Sequence, residues 1–136
     1  MDELVRWLGE QLDTDERIAR AATQGPWSVD SETYAESINA GDGTQVVAGG
    51  RWGGEASVFE STEDALHIVR HDPSRVLRDI EAKRQLVKRY ERAMENRRAH
   101  PDDLASVGAL LALHGAVKLL ALPYADRPGY REEWRP

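Results

Sequence analysis

Two histidines four residues apart, His67 and His71, stand just before an Asp-Pro pair in the stretch LHIVRHDP, residues 66–73. On a helix that spacing brings both imidazoles to one side, the arrangement a metal-binding pair uses. Asp64, one turn earlier, offers a third ligand, and His100 or His114 offers another from elsewhere in the chain. No H-E-x-x-H pattern accompanies them: Ile68, Val69 and Arg70 stand between the histidines, and Arg70 would oppose a cation. Two other readings stay open. One is a ligand-contact or pH-sensitive role. The other is a pair of surface histidines near a helix C-terminus, where the helix dipole welcomes positive charge. The spacing alone calls for no resident metal or cofactor.

Other residues have chemistry to offer. In GGRWGG, 49–54, Arg51 and Trp52 sit between glycine pairs. On a hairpin tip they would clamp a planar or anionic ligand by stacking and charge; alternatively Trp52 folds back onto a sheet. Asp15 interrupts the apolar stripe of the first helix, either as a carboxylate held for a partner or as a site of looser packing. From Arg70 to Arg98 there are ten Lys or Arg and five Asp or Glu, a segment of +5 in a chain of net charge −6. Arg75, Arg78, Lys88, Arg89 and Arg92 lie largely off the apolar stripe and form a basic face. Such a face binds phosphates or nucleic acid, pairs with acidic surface of this chain or another copy, or is simply solvated. The acidic whole argues against a nucleic-acid or anionic-membrane platform. There is no cysteine, so disulfides, zinc ribbons and thiol nucleophiles are excluded, which fits a cytoplasmic protein. No G-x-S-x-G, Walker or G-x-G-x-x-G motif is present, and no catalytic residue stands out.

The elements that must position these groups follow from periodicity. Residues 1–22 form an amphipathic helix with Leu4, Val5, Leu8, Leu12, Ile18, Ala19 and Ala22 on one face and Trp7 at its edge. This acidic start lacks the basic and apolar regions of a signal peptide. TQGPW, 23–27, stops the helix, with Gly25 expected in a left-handed C-cap conformation. Residues 27–60 read as a small antiparallel meander with short strands in WSVD, YAESINA, TQVVAG and EASVFE and a turn at AGDG, 40–43. Trp27, Val46, Val47, Val58 and Phe59 should pack it against the first helix and the helix starting at 61.

Ser61 or Thr62 caps that helix, which runs to about His71 with Ala65, Leu66, Ile68 and Val69 inward and both histidines outward. Asp72 caps the next helix, with Pro73 at its first position, and Val76, Leu77, Ile80, Leu86, Val87, Tyr90 and Met94 line its apolar face to about Arg98. Asp102 or Asp103 opens a last helix to about Leu122. It is apolar nearly all round, yet His114, Lys118, Ser106 and two glycines make it a buried or partner-facing helix rather than a membrane span, and a homodimer is the natural way to cover it. The tail, 123–136, cannot be a regular helix with Pro123, Pro128 and Gly129 in it. Its Tyr124, Tyr130 and Trp134 should clip onto a surface, of this chain or of another.

ATQGPW at 22–27, ALHIVRHDPSRVLRDIEAKR at 65–84 and LLALPYADRPGYREEWRP at 119–136 together resemble an uncharacterised family of small actinobacterial and actinophage proteins, a domain of unknown function. The resemblance implies a phage-associated or mobile context and assigns no activity. Gly25, Pro26, Trp27, His67, His71, Asp72 and Pro73 match the shared motifs.

The expectation is therefore one α+β domain over 1–136: an N-terminal helix, a small antiparallel sheet, three further helices in 61–122 and an aromatic tail. The expected function is a non-catalytic accessory protein acting through a protein partner, as a homodimer, with His67, His71, Arg51, Trp52, Asp64, Tyr130 and Trp134 as contact candidates. Three alternatives remain: a binder that sequesters a nucleotide-like ligand, a metal-dependent enzyme using His67 and His71, and nucleic-acid binding through 73–98.

Overall fold

The structure, a computed structural model, describes residues 2–30, 37–47, 59 and 61–136. Its order is α1 (Glu3–Ala21), β1 (Trp27–Val29), β2 (Ile38–Ala40), β3 (Gln45–Val47), α2 (Thr62–Arg70), α3 (Pro73–Ala99) and α4 (Leu104–Ala121), followed by short 3₁₀ turns at Leu122–Tyr124 and Glu132–Trp134. This is the expected α+β arrangement. The chain gathers into two compact units, one of residues 1–14 with 80–136 and one of residues 15–79, so α1 and α3 each contribute to both.

In the 15–79 unit the strands form an antiparallel sheet in the order β1-β2-β3. The AGDG turn joins β2 to β3: Ala40 and Thr44 pair across it, Gly43 takes φ +89°, and Oδ1 of Asp42 accepts from Thr44 N–H. That bond holds the Asp42 carboxyl below its usual range. Ile38, Phe59 and Ala65 form the buried centre, with Trp27, Val29, Val46, Val47 and Val69 packed against it, so the sheet rests on α2 as expected. Val58 lies outside the described residues.

The caps are where the local sequence puts them. Ser61 Oγ accepts from Asp64 N–H at the start of α2, Asp72 Oδ1 from Arg75 N–H at the start of α3, and Asp103 Oδ1 from Ala105 N–H at the start of α4. α1 ends differently from expectation. Gly25 has no left-handed φ; among the described residues only Gly43 and Gly129 do. Instead the Gln24 side-chain amide donates to the carbonyls of Ala19, Arg20 and Ala22, which the helix leaves unpaired. Glycine is needed at 25 for another reason: a Cβ there would stand 2.4 Å from Asp72 Oδ2 and 2.5 Å from Ser74 Oγ.

In the other unit, Leu4, Val5, Trp7, Leu8 and Leu12 of α1 are buried, as are Ile80, Tyr90, Val117, Ala121, Tyr124 and Trp134. The tail closes onto its own chain. Trp7 Nε1 donates to Pro128 O at 3.0 Å, and the Trp7 ring lies 5.5 Å from both Tyr130 and Trp134. Gly129, at φ +90°, lets the backbone pass 2.9 Å from Trp7 Nε1, measured from where a Cβ would stand. Arg131 pairs with Glu3 at 2.5 Å.

Candidate functional site

A cavity of about 280 Å³ opens in the 15–79 unit. The last two turns of α1 supply Asp15, Ile18 and Ala19, Ala22 follows directly after the helix, and the remaining wall is Trp27, His71, Pro73 and Val76. Its parts are held firmly. The Trp27 backbone N–H donates to Asp72 Oδ2 at 3.0 Å and its indole Nε1 to Thr23 O at 2.8 Å. Trp27 is therefore held at its backbone and at its indole nitrogen, with its ring left to line the space. A smaller cavity of about 110 Å³ adjoins through shared residues, lined by His71, Arg75, Val76 and Asp79.

His67 and His71 are both exposed, as expected. Their rings meet at 4.4 Å between centroids, and His71 Nδ1 lies 2.7 Å from His67 O. A carbonyl only accepts, so Nδ1 carries the proton and Nε2 is the nitrogen left for a ligand. Asp64 is exposed and its backbone N–H serves the Ser61 cap. Among the described residues no group of three or more His, Asp or Glu gathers to hold a metal ion, so the pair has no third ligand there. Leu66 and Ile68, expected inward, stand out at the surface; among the described residues it is Ala65 and Val69 of α2 that pack against the sheet.

A second feature belongs to the other unit. Of α4, only Ser106, Val117 and Ala121 are buried. Leu104, Leu111 and Leu119 are 85%, 67% and 58% exposed. At ~100° per residue these leucines share with Gly108, Ala112 and Gly115 a face ~100° wide that carries no charge. Nothing lies within 4 Å of a Cβ built at Gly108 or Gly115. A shallow groove runs along this face past His114 and Lys118 to Pro136. By length and composition the helix Leu104–Tyr124 could cross a membrane. Its buried side carries Ser106, Val117 and Ala121, and on one flank of the bare face His114 stacks on Tyr90 at 5.6 Å and Lys118 Nζ reaches Glu133 O at 3.4 Å.

The remaining candidates scatter. Arg51 and Trp52 lie outside the described residues. Arg75, Arg78, Lys88, Arg89 and Arg92 are all exposed along α3. Tyr130 and Trp134 sit in the aromatic cluster with Trp7 in the chain's own interior rather than on its surface, since the Gly129 turn folds them onto α1. Asp15, an odd carboxylate in an apolar stripe of the sequence, lines the cavity. Ile18, expected on the buried face of α1, is 58% exposed and lines the cavity. The break in the stripe at Asp15 marks where the run of buried leucines ends; beyond it Ala19 is buried and Ile18 is not.

The model of a family of unknown function (DUF6221) matches residues 1–136. No curated protein and no solved structure matches the chain.

Proposed function

Because the chain belongs to that family of unknown function (DUF6221) over its whole length, we propose from its own surface that it is a non-catalytic binding protein that works as a homodimer through α4. The type is the small actinobacterial or phage accessory protein that its motifs resemble, acting on a protein partner in the cytoplasm. One observation carries the reading: the uncharged face of Leu104, Gly108, Leu111, Ala112, Gly115 and Leu119 stands open to solvent. Residues 104–119 extend ~24 Å, enough to seat a second helix along the full face. Two glycines seven residues apart at its centre permit close approach of another backbone. A lipid surface would gain nothing from them, and a chain of net charge −6 is repelled by anionic membranes.

The magnitudes suit a reversible dimer. Burying the leucines of two copies supplies on the order of 10 kcal/mol. Association costs about 4–15 kcal/mol. The net is about 6 kcal/mol at most, so the expected complex is concentration-dependent and weak, with a dissociation constant of roughly tens of micromolar or above. A second reading, sequestration of a small ligand, is favoured by the cavity beside Trp27. Among the described residues no ligand cluster or cavity supports the metal-enzyme or nucleic-acid readings in the same way.

Sedimentation equilibrium of the full chain tests the proposal. The wild type should move from 15.2 kDa towards twice that mass as concentration rises, and Leu111→Lys should stay monomeric with an unchanged circular dichroism spectrum. A wild type that remains monomeric at high micromolar concentration, or one that floats with neutral lipid vesicles instead, overturns it.

A further inference from the structure

We infer that the cavity beside Trp27 is a binding site for a small amphipathic monoanion, an apolar body of about one ring with a carboxylate head held at His71 and Arg75. The body is set by the walls. Ile18, Ala22, Trp27 and Val76 give aliphatic and aromatic surface around about 280 Å³, near the lower end of the range for ligand pockets and sized for a single ring. Trp27 is pinned through its backbone and its indole nitrogen, so the wall is formed before any ligand arrives. Ile18 is more than half exposed at the mouth, an aliphatic side chain with no cover of its own.

The head is set by what remains unpaired. His71 and Val76 line both the larger and the smaller cavity, so a ligand in the first reaches Arg75 in the second. Among the described residues the Arg75 guanidinium makes one hydrogen bond, to Arg70 O at 3.2 Å, and no ion pair. Most of its five donors are open, and a planar carboxylate matches their fork. As an imidazolium, His71 donates from Nε2 to the carboxylate while its Nδ1–H is held by His67 O. The acidic neighbours do not compete for this role. Asp72 is occupied by two backbone N–H groups, and Asp15 and Asp79 already have partners.

Those same three carboxylates limit the charge of the ligand. They repel a phosphate dianion more strongly than a monoanion, whose single charge the Arg75 guanidinium can match. The nucleotide-like alternative is thereby disfavoured at this site. The inference stands whether or not α4 pairs two chains, since every residue it uses belongs to the 15–79 unit.

The experiment is a titration of the full-length protein, following the Trp27 indole N–H resonance in proton–nitrogen spectra. Phenylacetate is the probe, with phenylacetamide, phenethylamine and phenyl phosphate as comparisons. Phenylacetate should shift the Trp27 signal at millimolar concentration and bind at least roughly tenfold more tightly than the other three. Arg75→Gln should lose about tenfold in affinity, as expected for one charge-assisted contact, while Arg92→Gln on the same helix should not. Ala22→Phe, which fills the cavity, should abolish binding; its spectrum reports whether it is folded, and Arg75→Gln keeps the test decisive if it is not. Absence of any shift with phenylacetate, equal affinity for the amide, or unchanged binding by Arg75→Gln overturns the site. Preference for phenyl phosphate overturns the assignment to a monoanion.

Discussion

Trp27 and Asp72, 45 positions apart, are joined by a hydrogen bond from the Trp27 backbone N–H to Asp72 Oδ2 at 3.0 Å. The other oxygen of the same carboxylate caps α3 through Arg75 N–H at 2.9 Å. One buried side chain, 7% exposed, thus satisfies an outward donor of the edge strand β1 and an orphan donor of a helix. Gly25 makes room for it. The two short motifs GPW and HDP are two halves of one joint, and Trp27, His71 and Pro73 carry that joint into the wall of the cavity.

Removing the carboxylate should cost more than a surface cap does. Asp72→Ala leaves two N–H groups without their charged acceptor, and a loss of about 2–4 kcal/mol is expected in urea unfolding. Gly25→Ala forces a methyl group into the same place and should cost about 1–3 kcal/mol. The two changes touch the same atoms, so they should be non-additive: the double variant loses less than the two single losses combined. Full additivity would show that the close approach of Gly25 to Asp72 does not exist in solution.

In the other unit the Trp7 cluster ties the chain's ends together. Trp134→Ala removes a buried indole that Trp7 and Tyr130 surround, and about 3–5 kcal/mol should be lost. Tyr130→Phe behaves oppositely. The Tyr130 hydroxyl is buried with no hydrogen-bond partner among the described residues. Deleting it should leave stability unchanged or raise it by up to about 1 kcal/mol, read as an unchanged or higher denaturation midpoint. A clear loss would mean that the hydroxyl has a partner in solution.

What could be read from the sequence divides along the distance over which each signal acts. Ser61, Asp72 with Pro73, and Asp103 announced three helix starts because a cap is chemistry between residues two or three apart. The turn at Ala40–Gly43 and the outward histidines followed from equally local rules. Gly25 was misread because its reason lies at Asp72 and Ser74, far along the chain. Tyr130 and Trp134 looked available to a partner because nothing near them in sequence reveals Trp7. Ile18, Leu66 and Ile68 were assigned inward by period, yet period states which side is apolar and not whether anything covers it. The same gap applies to α4, where composition foretold an apolar helix and only coordinates show how much of it is bare.

Alkaline stability should reveal Tyr90. Burial, then the hydrogen bond to Asp2 Oδ2 at 2.7 Å and the charge of that carboxylate, push its phenol well above the ordinary value. The folded state therefore keeps a proton that the unfolded chain releases near pH ~10. By linkage, this contribution is intact below pH ~10 and is lost as pH rises further. Tyr90→Phe should be less stable than wild type by about 1 kcal/mol near neutral pH, from the lost hydrogen bond. Urea midpoints taken at about pH 8 and about pH 11 should show that gap closing. A gap that is constant with pH would mean the phenol titrates normally in the folded protein.

Gly115 separates the stability of the chain from its association. It sits within α4 on the bare apolar face, and a Cβ there meets nothing within 4 Å. In one isolated chain Gly115→Ala gains helix propensity without a clash and should stabilise by about 0.5–1 kcal/mol. In a dimer packed across this face the new methyl group stands between two backbones. The dissociation constant should then rise roughly tenfold, a cost of about 1.4 kcal/mol. Opposite signs in the thermal midpoint of dilute protein and in sedimentation equilibrium are the expected result, because a single methyl group cannot both improve the helix and spare a close helix–helix contact. A more stable chain whose association is unchanged places the contact elsewhere and removes α4 as the dimer surface.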